Sequence, residues 1–324
     1  MRERSGLAHD GRATGPGRRV PVRQVPSYAR GVVFVLAGGT CLSLGGVLIR
    51  HIETAGGWQI VFFRAIGFII TLSIYLALRH RRRFVASFLA VGWPGVIAAV
   101  SLGLGTACYV FGMLLTSVAN VVFTLSVGPF FAAAVGWLVL RERIRLPTLL
   151  AMLVAAAGVG LMFADGLVSG TWLGNLVALG APLTLAITVV GWRWQRGVDM
   201  VPATCLSGVV GLVIGAVMAD GLAISPHDLL LALLLGCVQL GAGFLFFTLG
   251  ARSVSAGEVP LYGLAETVLA PIWVWLTINE VPSPWTLSGG VVVLSAVVLA
   301  ALAGLRAAGA PARADSPGSR RSSG

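Results

Sequence analysis

Long charge-poor stretches constrain this sequence more than any other feature. A hydrocarbon layer of about 30 Å is crossed by roughly 20 residues of α-helix at about 1.5 Å per residue. Backbone amides inside lipid must be hydrogen-bonded within their own segment, so each stretch is expected to be a helix. The sequence predicts an all-α membrane protein with ten transmembrane helices over 31–49, 58–78, 95–115, 120–140, 147–163, 172–192, 202–219, 229–250, 258–278 and 285–304.

The composition excludes an ordinary soluble domain. Only 11% of the residues are charged and 57% are apolar, whereas an average soluble domain carries about 25% charged residues. The net charge of +11 would suit nucleic acid, but the basic residues are all Arg and cluster in tails and loops beside the apolar spans. We therefore expect the lipid bilayer, and no nucleic acid, to be the partner of these charges.

The distribution of Arg over the loops predicts the orientation. With the N-terminus inside, all of the 23 basic residues except Arg50 and Arg64 fall in tails and loops on the cytoplasmic side. Cytoplasmic loops retain Arg and Lys, so we expect a multi-pass protein of the cytoplasmic membrane with both termini cytoplasmic. Residues 1–29 and 306–324 contain few large apolar side chains and are expected to be disordered cytoplasmic tails.

The chain also repeats itself at an offset of 138 residues. Both copies have the order helix, short turn, helix, acidic turn, helix, which predicts two five-helix repeats over residues 30–164 and 165–305. At an offset of 143, Gly31 and Arg50 also match Gly174 and Arg193. The residues that recur at the first offset are Leu102, Gly103, Gly105, Gly112, Ser117, Val121, Trp137, Leu138, Glu142, Thr148 and Leu149, matched by Leu240, Gly241, Gly243, Gly250, Ser255, Val259, Trp275, Leu276, Glu280, Thr286 and Leu287.

Five helices per repeat is an odd number, so the second repeat must be inverted in the membrane relative to the first. The loop charges agree, because the turn 141–145 alternates Arg with other residues whereas its counterpart 279–283 has no Arg. Inverted repeats are a construction that secondary transporters use, since two pseudo-symmetric halves can exchange conformations around a central site. The sequence therefore predicts a transporter that works by alternating access.

Short passages along the chain indicate a family. They are Phe63-Arg64, Ser117-Val118-Ala119-Asn120, Pro129, Arg141-Glu142-Arg143, Ser255-Ala256-Gly257, Glu266 and Asn279-Glu280. In these passages the sequence resembles the EamA-type transporters of the drug/metabolite transporter superfamily, over residues 30–304. One departure is that the family's second repeat commonly has Glu-Pro in its ninth helix, whereas this chain has Glu266-Thr267 and then Pro271. We expect that helix to bend at a different level, because proline removes a backbone donor.

The resemblance implies a carrier that exports a small metabolite, often an amino acid, without ATP or another cofactor. The sequence agrees, since it has no phosphate-loop motif and no Lys. We expect neither an enzyme nor a metal site, because no His lies inside a span and no catalytic set shares one membrane depth. The alternatives are a carrier for drugs or other cationic compounds and a non-transporting membrane scaffold; a monomer and a homodimer both remain open.

Two charged residues inside spans are the first candidates for the site. Arg64 lies in the second predicted helix and Glu266 near the middle of the ninth. A charge at the centre of a helix costs about 2.5–3.5 kcal/mol on insertion scales, so such residues usually face a cavity or a partner. We hypothesise that Arg64 attracts a carboxylate and that Glu266 binds an amine or takes up a coupling proton. The alternatives are a structural ion pair and an Arg64 that extends to the membrane surface.

Small polar residues in the spans are further candidates for lining a cavity, although the same groups commonly bridge neighbouring helices. The acidic residues Glu142 and Glu280 are interpreted as turn and capping residues. Asp220, His227 and Asp228 are interpreted as part of a solvated loop. The cavity candidates are Thr40, Ser43, Tyr109, Asn120, Thr124, Gln239 and Tyr262.

Overall fold

The computed structural model describes the backbone of residues 28–81, 84–141, 144, 146–194, 198–251 and 259–309, where every regular element is helical. The side chains of 28, 251, 259–263 and 304–309 lie outside this description. Leu235–Ala242 is π-helical and is named the π segment; it joins α11 to α12. The helices are α1 (Tyr28–Ser43), α2 (Gly45–Arg50), α3 (Gly57–His80), α4 (Phe84–Leu89), α5 (Gly92–Leu115), α6 (Val118–Leu125), α7 (Gly128–Leu140), α8 (Leu146–Ser169), α9 (Trp172–Trp194), α10 (Val201–Met218), α11 (Pro226–Leu234), α12 (Gly243–Ala251), α13 (Val259–Ile278) and α14 (Pro284–Gly309).

The helices have the lengths and apolar composition of membrane spans. Within the described ranges, nine segments are long and apolar enough to cross a bilayer, and each coincides with a predicted span. At the remaining prediction, 258–278, α13 has 20 residues, of which Leu264–Ile278 form the apolar part whose side chains are described. The outer surface carries large apolar side chains, including Ile70, Ile74 and Leu78 of α3. The predicted all-helical membrane architecture is confirmed.

Several of the long spans are interrupted. A turn at Leu44 separates α1 from α2. Pro129 stands in the first turn of α7, where a missing backbone N–H removes no helical hydrogen bond, so α6 ends before it at Leu125. Between α11 and α12, the π segment widens the helix, a distortion that is frequent at functional sites. Beyond each interruption, the side chains no longer follow the periodicity of the preceding α-helix.

Three predicted boundaries differ from the structure. Helix α8 continues through residue 165 to Ser169 and ends before Gly170, whose φ is +78°. The predicted division at 164/165 therefore lies inside a helix rather than in a loop. Helix α14 continues to Gly309, so residues 306–309 are helical where a disordered tail was predicted, because the Ala-rich sequence favours helix beyond the lipid. Residues 28 and 29 of the predicted N-terminal tail likewise belong to α1. The rest of both predicted tails, up to residue 27 and from 310 onward, lies outside the described residues.

The two halves of the chain pack against each other reciprocally through glycine. A Cβ on Gly112 of α5 would contact Ala178 of α9, and a Cβ on Gly250 of α12 would overlap Val35 of α1. The glycines are related by the offset of 138 residues and their partners by the offset of 143. Residues that match in sequence thus occupy matching places in the bundle. The inversion of one half relative to the membrane stays a prediction.

The loops gather at two opposite ends of the bundle. We name these the Arg50 end, where Asp228 and Glu280 also lie, and the Arg79 end, where Asp199 also lies. A cluster of buried apolar side chains fills the interior next to the Arg50 end. Its members are Ile49, Ile60, Val61, Ala107, Tyr109, Val110, Met113, Val118, Val121, Val122, Ala178, Ala181, Leu235, Ala270 and Val274.

Candidate functional site

The candidate site is built around Arg64, which extends from α3 into the bundle and is only 3% exposed. Helix α3 crosses the π segment at very close range. A Cβ on Gly236 would overlap the carbonyl oxygen of Arg64, and a Cβ on Gly67 would lie 2.6 Å from the carbonyl oxygen of Leu233. Only glycine permits such an approach of two backbones. The crossing brings Arg64 beside Gln239 of the π segment.

The guanidinium of Arg64 is only partly satisfied by the protein. Its Nη2 donates to Oε1 of Gln239 at 3.0 Å, and its Nη1 donates to the carbonyl oxygen of Thr106 at 3.4 Å. Its Cζ lies 4.9 Å from the centre of the Tyr109 ring, a distance at which a cation is attracted to the ring face. Its buried Nε has no hydrogen-bond partner in the described structure. A guanidinium has five N–H donors, so this cation retains capacity for an anionic or acceptor group.

Glu266 supplies a negative charge near this cation. It lies on α13, is partly buried, and interacts electrostatically with Arg64. The two side chains do not form an ion pair at 4.0 Å or less, and Glu266 has no hydrogen bond within the described part of the chain. The structure therefore contains an opposite pair of membrane-embedded charges with a gap between them. A direct structural ion pair, one alternative from the sequence, is absent between these two described residues.

A free hydroxyl and a tryptophan extend the site towards α1 and α2. The hydroxyl of Tyr109 lies so close to Gly45 that a Cβ there would collide with it, and it forms no hydrogen bond in the described ranges. Ser43 is 1% exposed and accepts a hydrogen bond from Nε1 of Trp273 at 3.0 Å. The sequence analysis did not select Trp273. Nothing in its local sequence distinguishes it from the other tryptophans, and only the packing of α13 on α1 brings it here.

Other candidates from the sequence lie apart from Arg64. Asn120 is buried in a separate network, where its Nδ2 donates to Thr116 and Asn175 and its Oδ1 accepts from Thr286 at 2.8 Å. Because these partners occupy its side-chain amide, the structure gives Asn120 a helix-bridging role. Thr40 is exposed and its hydroxyl donates to the backbone of its own helix. Thr124 is buried in α6 at 2% exposure, and the side chain of Tyr262 lies outside the described residues.

The acidic residues at the Arg50 end have different environments from those predicted. Asp228 is 0% exposed and accepts hydrogen bonds from the backbone N–H groups of Glu53, Thr54 and Ala55, so its assignment to a solvated loop is wrong. Glu280 does cap a helix, as predicted, but it caps α6 from the other half of the chain and pairs with Arg50. These partners are distant in sequence, so no local pattern identifies them.

A pocket of about 480 Å³ opens at the Arg79 end. It begins on the same face of α3 as Arg64, at Leu72, Tyr75 and Arg79. Arg79 pairs there with Asp199 at 3.4 Å. The remaining walls of the pocket are formed by α9, α10, α12 and the turn before α10. They consist of Trp192, Val198, Asp199, Met200, Val201, Thr204, Phe244, Leu245, Thr248 and Leu249.

Comparison with known proteins gives three results. The model of the EamA-like transporter family matches residues 29–164 and again residues 172–302. A Bacillus subtilis (strain 168) protein described as "Uncharacterized transporter YwfM" is 27% identical over 300 residues, which cover 87% of this chain and 89% of that protein. A protein known from a crystal structure is 16% identical and covers 86% of this chain and 100% of its own, with a TM-score of 0.61. At that identity, the last result shows the fold alone.

Proposed function

The chain belongs to the EamA-like transporter family, and from this premise we propose that it exports a small amphoteric metabolite, such as an amino acid, across the cytoplasmic membrane. It is a membrane transporter with two family repeats. We assign solute binding to the space around Arg64, Gln239, Tyr109 and Glu266. The lipid bilayer and the solute are its partners.

The main support for this proposal is that the guanidinium of Arg64 lacks a full set of hydrogen-bond partners in the described structure. A cation this deeply buried normally has a bound anion or a full set of acceptors, because an isolated charge in a low-dielectric interior is costly. Here Glu266, the carboxylate that interacts electrostatically with Arg64, stays beyond ion-pairing distance. A solute carboxylate can bind the free donor of Arg64 while the solute's ammonium binds Glu266. A zwitterion thus supplies both missing partners at once.

The distribution of packing around this site supports a mechanism of alternating access. The interior next to the Arg50 end is filled by apolar side chains, whereas a pocket opens at the Arg79 end. We assign the Arg79 end to the cytoplasm, in agreement with the excess of Arg in the loops predicted there. In this assignment the solute approaches from the cytoplasm and leaves past the Arg50 end.

Glu266 is also the group that we propose for proton coupling. Its carboxyl lacks a hydrogen-bond partner within the described residues and lies near Arg64. A solute ammonium and a proton can therefore compete for the same carboxylate. Proton uptake at Glu266 can thereby be exchanged for solute.

The test is flux of labelled amino acids and cationic dyes across proteoliposomes, with and without an imposed pH gradient. We expect the native protein to accelerate flux of an amino acid and Glu266→Gln to abolish the dependence on the gradient. Glu53→Gln serves as the matched control, because Glu53 is exposed at the Arg50 end. Selective flux of cationic dyes would instead favour drug efflux. Folded protein that moves no solute in the panel would contradict transport of these classes and favour a scaffold.

A further inference from the structure

A two-pronged ion pair closes the Arg50 end. Arg50 at the end of α2 donates from Nε to Oε2 of Glu280 at 2.8 Å and from Nη2 to Oε1 at 3.4 Å. Glu280 lies in the turn between α13 and α14, so the ion pair joins the two halves of the chain. The side chains are 24% and 23% exposed, respectively, and are therefore reached by water at this end.

Each partner of the ion pair also holds the turn between α5 and α6. Arg50 Nη2 donates to the carbonyl oxygen of Thr116 at 2.8 Å, where α5 ends. Glu280 Oε1 accepts from the backbone N–H of Val118 at 2.9 Å, where α6 begins. Carbonyl groups at a helix C-terminus and N–H groups at a helix N-terminus lack partners within the helix. Breaking this one ion pair would loosen the ends of α2, α5, α6 and α13 together.

Beneath the ion pair lies an apolar plug. A Cβ on Gly46 would lie 2.5 Å from Val118 and 3.2 Å from Val274, so α2 contacts α6 and α13 directly. Ile49 and Val118 are 1% and 0% exposed, respectively. Solute leaving the Arg64 site towards this end would have to separate these three helices. The ion pair is thus placed to control whether the plug opens.

We propose that the Arg50–Glu280 ion pair is the gate of the Arg50 end, closed as seen here and broken when the carrier releases solute on that side. The proposal rests on the proposed transport function. Because both charges are partly hydrated, each can return to water when the pair separates, at a lower cost than for a buried pair. The gate differs from the binding site, where Arg64 is kept from water.

The sequence repeat relates these two charges to residues of the other end. Arg50 matches Arg193 at the offset of 143, and Glu280 matches Glu142 at the offset of 138. Glu142 lies outside the described residues, so the proposal is made for the Arg50 end alone.

The first test holds the proposed gate closed with a covalent cross-link. Cysteines are placed at Arg50 and Glu280 in a chain whose four native cysteines, all free, are replaced, and a reversible bifunctional thiol reagent joins them. We expect transport to fall to that of protein-free liposomes and to return on reduction. A Ser169→Cys, Thr171→Cys pair is the control, because these neighbours in one turn are already in contact. Undiminished transport by the cross-linked Arg50–Glu280 variant would overturn the gate.

The second test needs no solute. Ile49→Cys beneath the ion pair is labelled by a membrane-impermeant thiol reagent, with and without Glu280→Gln. Faster labelling with Glu280→Gln supports the gate, whereas an equal rate overturns it. Ala155→Cys, 1% exposed in the separate cluster of α8 and α14, should label equally slowly in both backgrounds and thereby reports on folding. Native protein that moves no solute would contradict the proposed function, whereas protein that transports solute but is labelled at equal rates with and without Glu280→Gln would overturn the gate alone.

Discussion

Gln239 and Arg64 form a buried side-chain hydrogen bond between the two halves of the chain. Gln239 accepts from Arg64 Nη2 at 3.0 Å, and its own Nε2 donates to the carbonyl oxygen of Leu42 at 3.2 Å. The π segment, the end of α1 and the middle of α3 are therefore joined through one amide. A movement of any of these helices must alter the position of the guanidinium.

The first prediction concerns an anion placed permanently beside Arg64. Gln239→Glu should pair with the guanidinium and compete with a solute carboxylate. We expect amino-acid flux to fall by at least about tenfold with little net change in thermal stability in detergent, because the stronger charge-assisted hydrogen bond to Arg64 offsets the lost donation to Leu42. Counterflow in proteoliposomes and thermal unfolding measure the two effects. Unchanged flux would show that the solute does not use Arg64.

Gln239→Leu tests whether Gln239 orients Arg64, without placing a carboxylate that competes with the solute. It removes the acceptor for Arg64 and the donor to Leu42 without adding charge. Leaving such buried groups without partners costs about 1–3 kcal/mol, so we expect a lower unfolding temperature together with weaker solute binding. Equal stability of Gln239→Leu and native protein would contradict the buried hydrogen bond.

The second prediction concerns the space beside Tyr109. The side chain of Gly45→Ala would collide with the Tyr109 hydroxyl and displace the ring from its place under Arg64. We expect a higher KM for solute, because the guanidinium loses its positioning partner. Gly160→Ala in α8 is the matched control, since a Cβ there meets nothing within 4 Å. Its flux should be native, with a stability gain of about 0.5–1 kcal/mol from helix propensity. Equal KM values for the two variants would exclude this positioning role.

The third prediction distinguishes structure from binding at Asn120. Asn120→Ala removes the donor to Asn175 Oδ1 and the acceptor for the Thr286 hydroxyl, and leaves these groups only their bonds to Thr116 and to Ser283 and Asp165. We expect destabilisation of about 1–3 kcal/mol, with a native KM in the protein that remains folded. Thermal unfolding and concentration-dependent flux measure these effects. A changed KM at native stability would restore Asn120 to the solute site, as the sequence analysis predicted.

The fourth prediction concerns Asp228, which holds the loop before α3. Asp228→Asn replaces a carboxylate that accepts from three backbone N–H groups and from the Thr54 hydroxyl. Hydrogen bonds to a charged group contribute about 1.5–3 kcal/mol each, so the unfolding temperature should fall clearly. Asp220→Asn in the loop before α11 is the control, since Asp220 is exposed and should tolerate the change. Equal stability of the two variants would show that burial of Asp228 is unimportant.

The sequence by itself determined the membrane architecture. Apolar spans and the positions of charges between them are imposed by lipid, which acts on each segment separately, so the segments could be recognised one by one. The repeat could also be recognised by comparing the sequence with itself. The structure shows the same correspondence, because Arg141 and Asn279, which are related by the repeat, both have a φ of 54° at the end of a helix. The two charges Arg64 and Glu266 were also visible, because lipid makes such residues rare.

Only the tertiary structure decided which polar residues act together. Asn120 and Gln239 looked alike as amides in apolar spans, yet one bridges helices and the other orients Arg64. Glu280 and Arg50 are 230 residues apart, and no local pattern pairs them. Side-chain polarity and spacing indicate the structure of the segment in which a residue lies. Its hydrogen-bond partners depend instead on how closely other helices approach that segment. At the crossing of α3 with the π segment, glycine backbones set that distance, and the position of Arg64 follows from it.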